Sequence, residues 1–298
     1  MQYAGATILF GSSLFFLRAL PHDGPGSAGE MPWPRTLLAA ASVGLSISAL
    51  LWIAAQASLL AGSAAEGLKA ETLLAVVTGF DLGKAAVARA AFGVTAAVLA
   101  LTIKPARTAW LACALLGGLG TASLAWLGHG AATEGAGGPV HLISDVLHSW
   151  AAAAWIGALV AFVLLLRARA PQPGRTATLH SALHGFSGFG TILVAVLVAT
   201  GLVNSWFLIG PQRLEGLWTT PYGQLLSLKL LLFGGMLGLA SANRFRLTPA
   251  LAQALEAGPR QEAALAALRR SLVVETAAAF GVLALVAWFG TLPPPAAV

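Results

Sequence analysis

Three side chains able to bind a metal or hold a proton, His141, Asp145 and His148, lie close together at the start of one apolar stretch, PVHLISDVLHSWAAAAWIGALVAFVLLLRAR, residues 139–169. Imidazole nitrogen and carboxylate oxygen suit borderline ions such as Cu(II) and Zn(II). The i, i+4 spacing of His141 and Asp145 and the i, i+3 spacing of Asp145 and His148 let either pair share an ion. His141 and His148 lie about 10 Å apart along a helix axis, so a complete site needs a ligand from elsewhere. His129 is the nearest candidate in sequence. The plainer alternative is that His148 hydrogen-bonds Asp145 or a neighbouring helix and His141 is a solvated interfacial residue.

The stretch that carries them reads as a single membrane-spanning helix. Positions 141, 145, 148, 152 and 155 share one face, polar at the start and aromatic further in at Trp155, and Arg167, Arg169 and Arg175 follow at the far end. Ionisable side chains at membrane depth are costly and mark functional sites by default. The composition agrees: 57% of the 298 residues are apolar, 9% are charged, and mean hydropathy is +0.80. The expected fold is all-α, a single polytopic membrane domain over 1–298, because about 20 apolar residues cross a bilayer core about 30 Å thick. About eight transmembrane helices are expected, at 2–20, 36–61, 85–103, 108–128, 142–166, 185–209, 222–244 and 271–292. Residues 2–20 lack a basic leader and read as the first span. The single cysteine, Cys113, excludes an intramolecular disulfide and a paired-thiolate metal site.

Net charge is +6, but the basic residues lie in short connections rather than on a hydrophilic face, which argues for topogenic charge and against nucleic acid. Arg18, Arg35, Lys104, Arg107, Arg167, Arg169, Arg175, Arg244, Arg246, Arg260, Arg269 and Arg270 fall on alternate connections, with Lys69, Lys84 and Arg213 on the others. The positive-inside tendency then puts both termini outside. In that orientation Gln56, Arg89, Asp145, His148, Asn204 and Lys229 all lie in the outer leaflet, which predicts one polar pocket open to the outside, with His129 and His141 at its mouth. Trp155 lies deeper on the same face. Asn243, Arg244 and Glu275 form an inner set, in which a Glu275–Arg244 pair is expected to brace two helices. His180 and His184 have i, i+4 spacing but read as a solvated helix start. Only Met1, Met31 and Met236 occur, so there is no methionine relay of the kind soft Cu(I) favours. The sequence has no nucleophile–base arrangement, phosphate loop or zinc-hydrolase motif, and an enzyme is not expected.

The order of motifs resembles the bacterial copper-resistance protein D family (CopD and PcoD). The likeness is carried by Gly128-His129, by Leu147-His148 with Trp155-Ile156-Gly157, and by Phe186-Ser187 with Thr200-Gly201 and Asn204. It continues through Thr220, Tyr222-Gly223, Leu226, Lys229, Asn243-Arg244 and Pro249, then Arg270-Ser271, Glu275 and Pro293-Pro294. It runs from about residue 80 onward, the first 80 residues fitting only in hydropathy. The resemblance implies an inner-membrane protein of eight spans that moves copper from periplasm to cytoplasm with a periplasmic copper-binding partner of the CopC type. His129, His141 and His148 are then the candidates for copper contact, with Asp145 as charge partner, and Cu(II) is favoured at uptake. Two other classes compete: a haem-binding electron-transfer membrane protein, with two histidines from different helices on one iron, and a non-transporting assembly subunit whose polar cluster is structural.

Overall fold

The computed structural model describes residues 1–21, 27–128, 133, 135–167, 173–257 and 261–297. Among them there are helices and no strands. In chain order the helices are α1 (Gln2–Ala19), α2 (Trp33–Ala61), α3 (Ala64–Gly67), α4 (Ala70–Gly79), α5 (Asp81–Thr102), α6 (Arg107–Ala122), α7 (Gly138–Leu166), α8 (Pro173–Leu208), α9 (Gly216–Thr219), α10 (Pro221–Ala242), α11 (Thr248–Ala257) and α12 (Gln261–Phe289). A 3₁₀ turn, Ser123–Trp126, continues α6, and a π-helical turn, Asn243–Leu247, joins α10 to α11.

Seven helical stretches are long and apolar enough to cross a membrane, and α1 is not among them. The expected eighth span is present as a helix, but it is the central one, packed against α2, α6 and α7. Leu9, Phe15 and Phe16 on α1 are buried, and so are Ser12 and Ser13. A helix shielded from lipid on most sides does not need the hydropathy of a lipid-facing one. The outer helices show the converse, with Leu202 and Trp206 on α8 and Leu231 on α10 exposed for contact with hydrocarbon.

Helices α1 and α7 meet backbone to backbone. A Cβ on Gly11 would stand 1.9 Å from the Ala153 carbonyl oxygen, and one on Gly157 would stand 2.3 Å from the Gly11 carbonyl carbon. The Ser12 hydroxyl donates to the Gly157 carbonyl at 3.1 Å in the same crossing. Small residues with one interhelical hydrogen bond are the usual means of close helix approach in lipid.

Two stretches expected to be connections are helical. Residues 64–79 form α3 and α4; the Ser63 hydroxyl caps α3 by accepting from the Glu66 amide at 3.2 Å, and Val76 on α4 is buried against α2 and α5. The polar link after residue 245 continues as α11, with Leu251 fully buried. In both cases apolar residues at helical spacing outweigh the surrounding polar composition.

The ends of the long helices are tied in two sets. Arg35 at the start of α2 donates to the Ala100 carbonyl at the end of α5 at 2.5 Å. Arg213, between α8 and α9, donates to the Pro295 carbonyl at 2.6 Å, so the α8–α10 connection sits beside the C-terminal end. The starts of α1, α5, α7 and α10 therefore share a terminal face, and the basic connections lie at the other.

Candidate functional site

The polar residues of the spans separate into two clusters. Toward the terminal face, α7 and α8 are joined by three polar contacts in register. The Ser144 hydroxyl donates to the Thr200 carbonyl at 3.1 Å, His148 Nδ1 lies 3.0 Å from the Thr200 hydroxyl, and Asn204 Nδ2 donates to Asp145 Oδ1 at 3.4 Å. Ser144 and His148, one turn apart on α7, both meet Thr200, and Asp145 meets Asn204 one turn further along α8.

The Thr200 hydroxyl proton is committed to the Val196 carbonyl, at 2.6 Å. With that proton engaged, the hydroxyl oxygen is free to accept from His148 Nδ1–H, an arrangement that leaves the lone pair of the neutral ring on Nε2. Fixing one ring nitrogen to orient the other is how metal-ligating histidines are positioned. Asn204 Oδ1 is buried with no hydrogen-bond partner among the described residues.

Around Asp145 lie charged and phenolic groups within electrostatic reach: Lys229 and Tyr222 on α10 and Tyr3 on α1. Lys229 and Asp145 do not close to an ion pair; Lys229 Nζ sits 5.7 Å above the Phe289 ring. Among the described residues the ion pairs are Lys69–Glu66 and Lys84–Asp81, both at the surface.

Arg89 is drawn elsewhere. Its guanidinium, fully buried, donates to the Ser123 hydroxyl at 2.9 Å, to the Ser123 carbonyl at 2.8 Å and to Gln2 Oε1. It links α5 to the starts of α1 and the 3₁₀ turn and makes no bond to Asp145. Gln56 is half-buried on α2, one turn from Ile53 and next to Ala57, which pack with Val76 and Ala86. Neither residue joins the α7–α8 contacts, so the six-residue convergence expected from depth narrows to Asp145, His148 and Asn204 with Lys229 nearby. Equal depth does not fix the direction in which a helix face points.

His141 is 1% exposed and therefore not a solvated side chain. Its Nδ1 lies 2.6 Å from the Thr133 hydroxyl, and its ring stacks on Phe207 at 4.8 Å between centroids. His129 lies outside the described residues. Among those described, no group of three His, Cys, Asp or Glu side chains is arranged to hold one metal ion. His180 and His184 have their rings 6.5 Å apart near the basic end of α8.

The second cluster lies toward the basic face, and Trp155 belongs to it instead of to the outer group. Trp155 Nε1 donates to Glu275 Oε1 at 3.1 Å, and Asn243 Nδ2 donates to Glu275 Oε2 at 2.8 Å. The expected Glu275–Arg244 pair is not formed. Arg244 turns to α8, donating to the Thr191 hydroxyl and to the Ser187 carbonyl at 3.4 Å. The helices are braced there, but by neutral donors on α7 and the π turn. Side-chain direction at the π turn decided this, and spacing gives no access to it.

Residues missed from sequence are Gln2, Tyr3, Ser123, Ser144 and Thr200. Hydroxyls and amides in apolar helices were outweighed by the charged groups, although Thr200-Gly201 was already conspicuous as a motif.

The family description "Copper resistance protein D" matches residues 180–289, and "Copper resistance protein D-like, N-terminal domain" matches residues 1–139. The likeness thus includes the first 80 residues, which carry none of the motifs of the resemblance. The chain is 41% identical to "Copper resistance protein D" of Pseudomonas syringae pv. tomato, over 98% of this chain and 94% of the relative. It is 34% identical to "Inner membrane protein YebZ" of Escherichia coli (strain K12), over 44% of this chain and 43% of that protein. No solved structure matches it. By its all-α membrane fold and by likeness across nearly its whole length, the chain belongs to the copper resistance protein D family.

Proposed function

We propose that this protein takes up copper at the terminal face and transports or delivers it across the bacterial inner membrane, from periplasm to cytoplasm, with both termini periplasmic. The chain acts as one membrane domain, a reading supported by α1, which packs against helices of both halves. The observation that carries the proposal is the Asp145–His148–Asn204 group. One imidazole nitrogen is anchored by Thr200, the Asp145 carboxylate accepts from the Asn204 amide, and Asn204 Oδ1 is buried without a partner among the described residues.

His148 Nε2 and Asp145 are the copper contacts, with His141 and His129 as stations nearer the mouth and Lys229 as a counter-charge to Asp145. Nitrogen and oxygen donors favour Cu(II) here. Met31 and Met236 are both buried in the apolar core, away from this group, which agrees with that preference. Delivery to the terminal face by a periplasmic CopC-like protein fits the orientation.

The test is copper content of the detergent-purified protein after loading with Cu(II) or Cu(I), beside His148→Ala and Asp145→Asn. Copper retained by the parent and lost in both variants, with no Soret band after exposure to haem, supports the reading. Equal copper in parent and variants refutes the site, and a haem spectrum refutes the class.

A further inference from the structure

The Glu275 cluster lines a partly open cavity of about 240 Å³. Helices α8 and α10 stay apart there, α7, α12, the π turn and the start of α11 supply the remaining walls, and Arg244 of the π turn reaches across to Ser187 and Thr191 on α8. Trp155, Phe162, Phe186 and Leu237 supply apolar lining, and Glu275 and Asn243, hydrogen-bonded to each other, are part of its polar lining together with Arg244 and hydroxyls of α8, α10 and α11.

The hydrogen bonding of Glu275 and Asn243 leaves acceptors in excess. A carboxylate only accepts, so the Asn243 amide must face Glu275 with its nitrogen, and Oδ1 is turned away. Asn243 is 7% exposed, and its Oδ1 is buried with no partner among the described residues. Glu275, 1% exposed, receives only neutral donors, and no cation among the described residues lies within 4 Å of it. Buried acceptors left unmet are costly, so this cluster calls for a donor. A hydrated metal ion is a poor candidate, because the aromatic walls offer it nothing and Arg244 also lines the cavity. The volume has a direct comparison: an apolar cavity of about 150 Å³ accommodates benzene, so this one holds a substituted ring.

We propose that the cavity between α8 and α10 binds a membrane-soluble aromatic alcohol of the hydroquinone class, its ring filling the apolar body and its hydroxyl donating to Glu275 or to Asn243 Oδ1. The gap between α8 and α10 admits such a molecule from the hydrocarbon layer. The assignment concerns binding alone and does not depend on the copper reading.

The test uses the detergent-purified full chain, with tetramethylhydroquinone and its dimethyl ether as probes, kept reduced under nitrogen and followed by titration calorimetry. The ether is larger by two methyl groups and lacks the hydroxyl donors, so the hydrogen bond is read from the diol-to-ether ratio in the parent relative to that in Glu275→Gln, which leaves the cavity volume unchanged. The diol is expected to bind about tenfold more tightly than the ether, the loss of one hydrogen bond to a buried acceptor. Ala240→Phe, which fills the cavity from α10, is expected to abolish binding of both probes. Glu275→Gln is expected to reduce the preference for the diol. Equal binding of diol and ether to the parent overturns the proposal and makes the cavity a site for lipid chains. Unchanged diol binding in Ala240→Phe overturns it as well, by placing the probe elsewhere.

Discussion

Replacing Thr200 by valine isolates the orientation of His148 from its presence. Valine keeps the β-branched shape on α8 and removes only the hydroxyl. That hydroxyl donates to Val196 at 2.6 Å and accepts from His148 Nδ1 at 3.0 Å, so the substitution frees the imidazole to rotate and to exchange its tautomer. The helix loses no backbone hydrogen bond. Removing a partner that fixes a metal-ligating histidine typically costs about 10- to 100-fold in metal affinity, equivalent to about 1.4–2.7 kcal/mol. The assay is competitive Cu(II) titration of purified protein against a chelator of known affinity, with His148→Ala and the double variant completing a cycle. Thr200→Ser should retain parental affinity, and Thr200→Val should have no further effect once His148 is alanine. An unchanged affinity in Thr200→Val, or an equal loss with and without His148, would refute the reasoning.

Three other expectations concern what holds the two clusters in place. Gly157→Ala puts a Cβ 2.3 Å from the Gly11 backbone, and the α1–α7 crossing must widen; overpacking of this kind costs about 1–3 kcal/mol. A lowered unfolding temperature is expected, whereas Gly44→Ala, with open space around its Cβ, should leave stability unchanged or slightly raised. Arg89→Leu leaves the Ser123 carbonyl and Gln2 Oε1 buried without their donor, at about 1–3 kcal/mol each. The thermal midpoint should fall, with Cu(II) affinity of the surviving folded protein within about threefold of the parent, since Arg89 makes no bond to Asp145. Asn243→Leu should lower stability more than Arg244→Gln in the same melting assay, because Asn243 and not Arg244 holds Glu275. The reverse order would restore the charge pair.

Sequence by itself determined the class of fold and the chemistry of the polar residues in the spans, Asp145, His148 and Asn204 toward one face and Asn243 and Glu275 toward the other, but not the place of Gln56, Arg89 or Trp155. Hydrophobic length and sparse charge leave little choice but helices in lipid, because every backbone polar group there must be satisfied within its own segment. The fifth-span rhythm of His141, Asp145 and His148 was legible because one helix fixes its own side-chain directions. Relations between helices were not. Whether Arg89 meets Asp145 or Ser123, whether Glu275 meets Arg244 or Asn243, and whether Trp155 belongs to the outer group or the inner one depend on how each helix is rotated about its axis. That rotation is set by packing: Gly11 against Gly157 brings α1 into contact with α7, and Ser144 and Thr200 hold α7 in register with α8. The central position of α1 was hidden for the same reason. Its modest hydropathy looks like that of a weak span, and only its neighbours explain it, since a helix surrounded by other helices meets protein where the rest meet lipid.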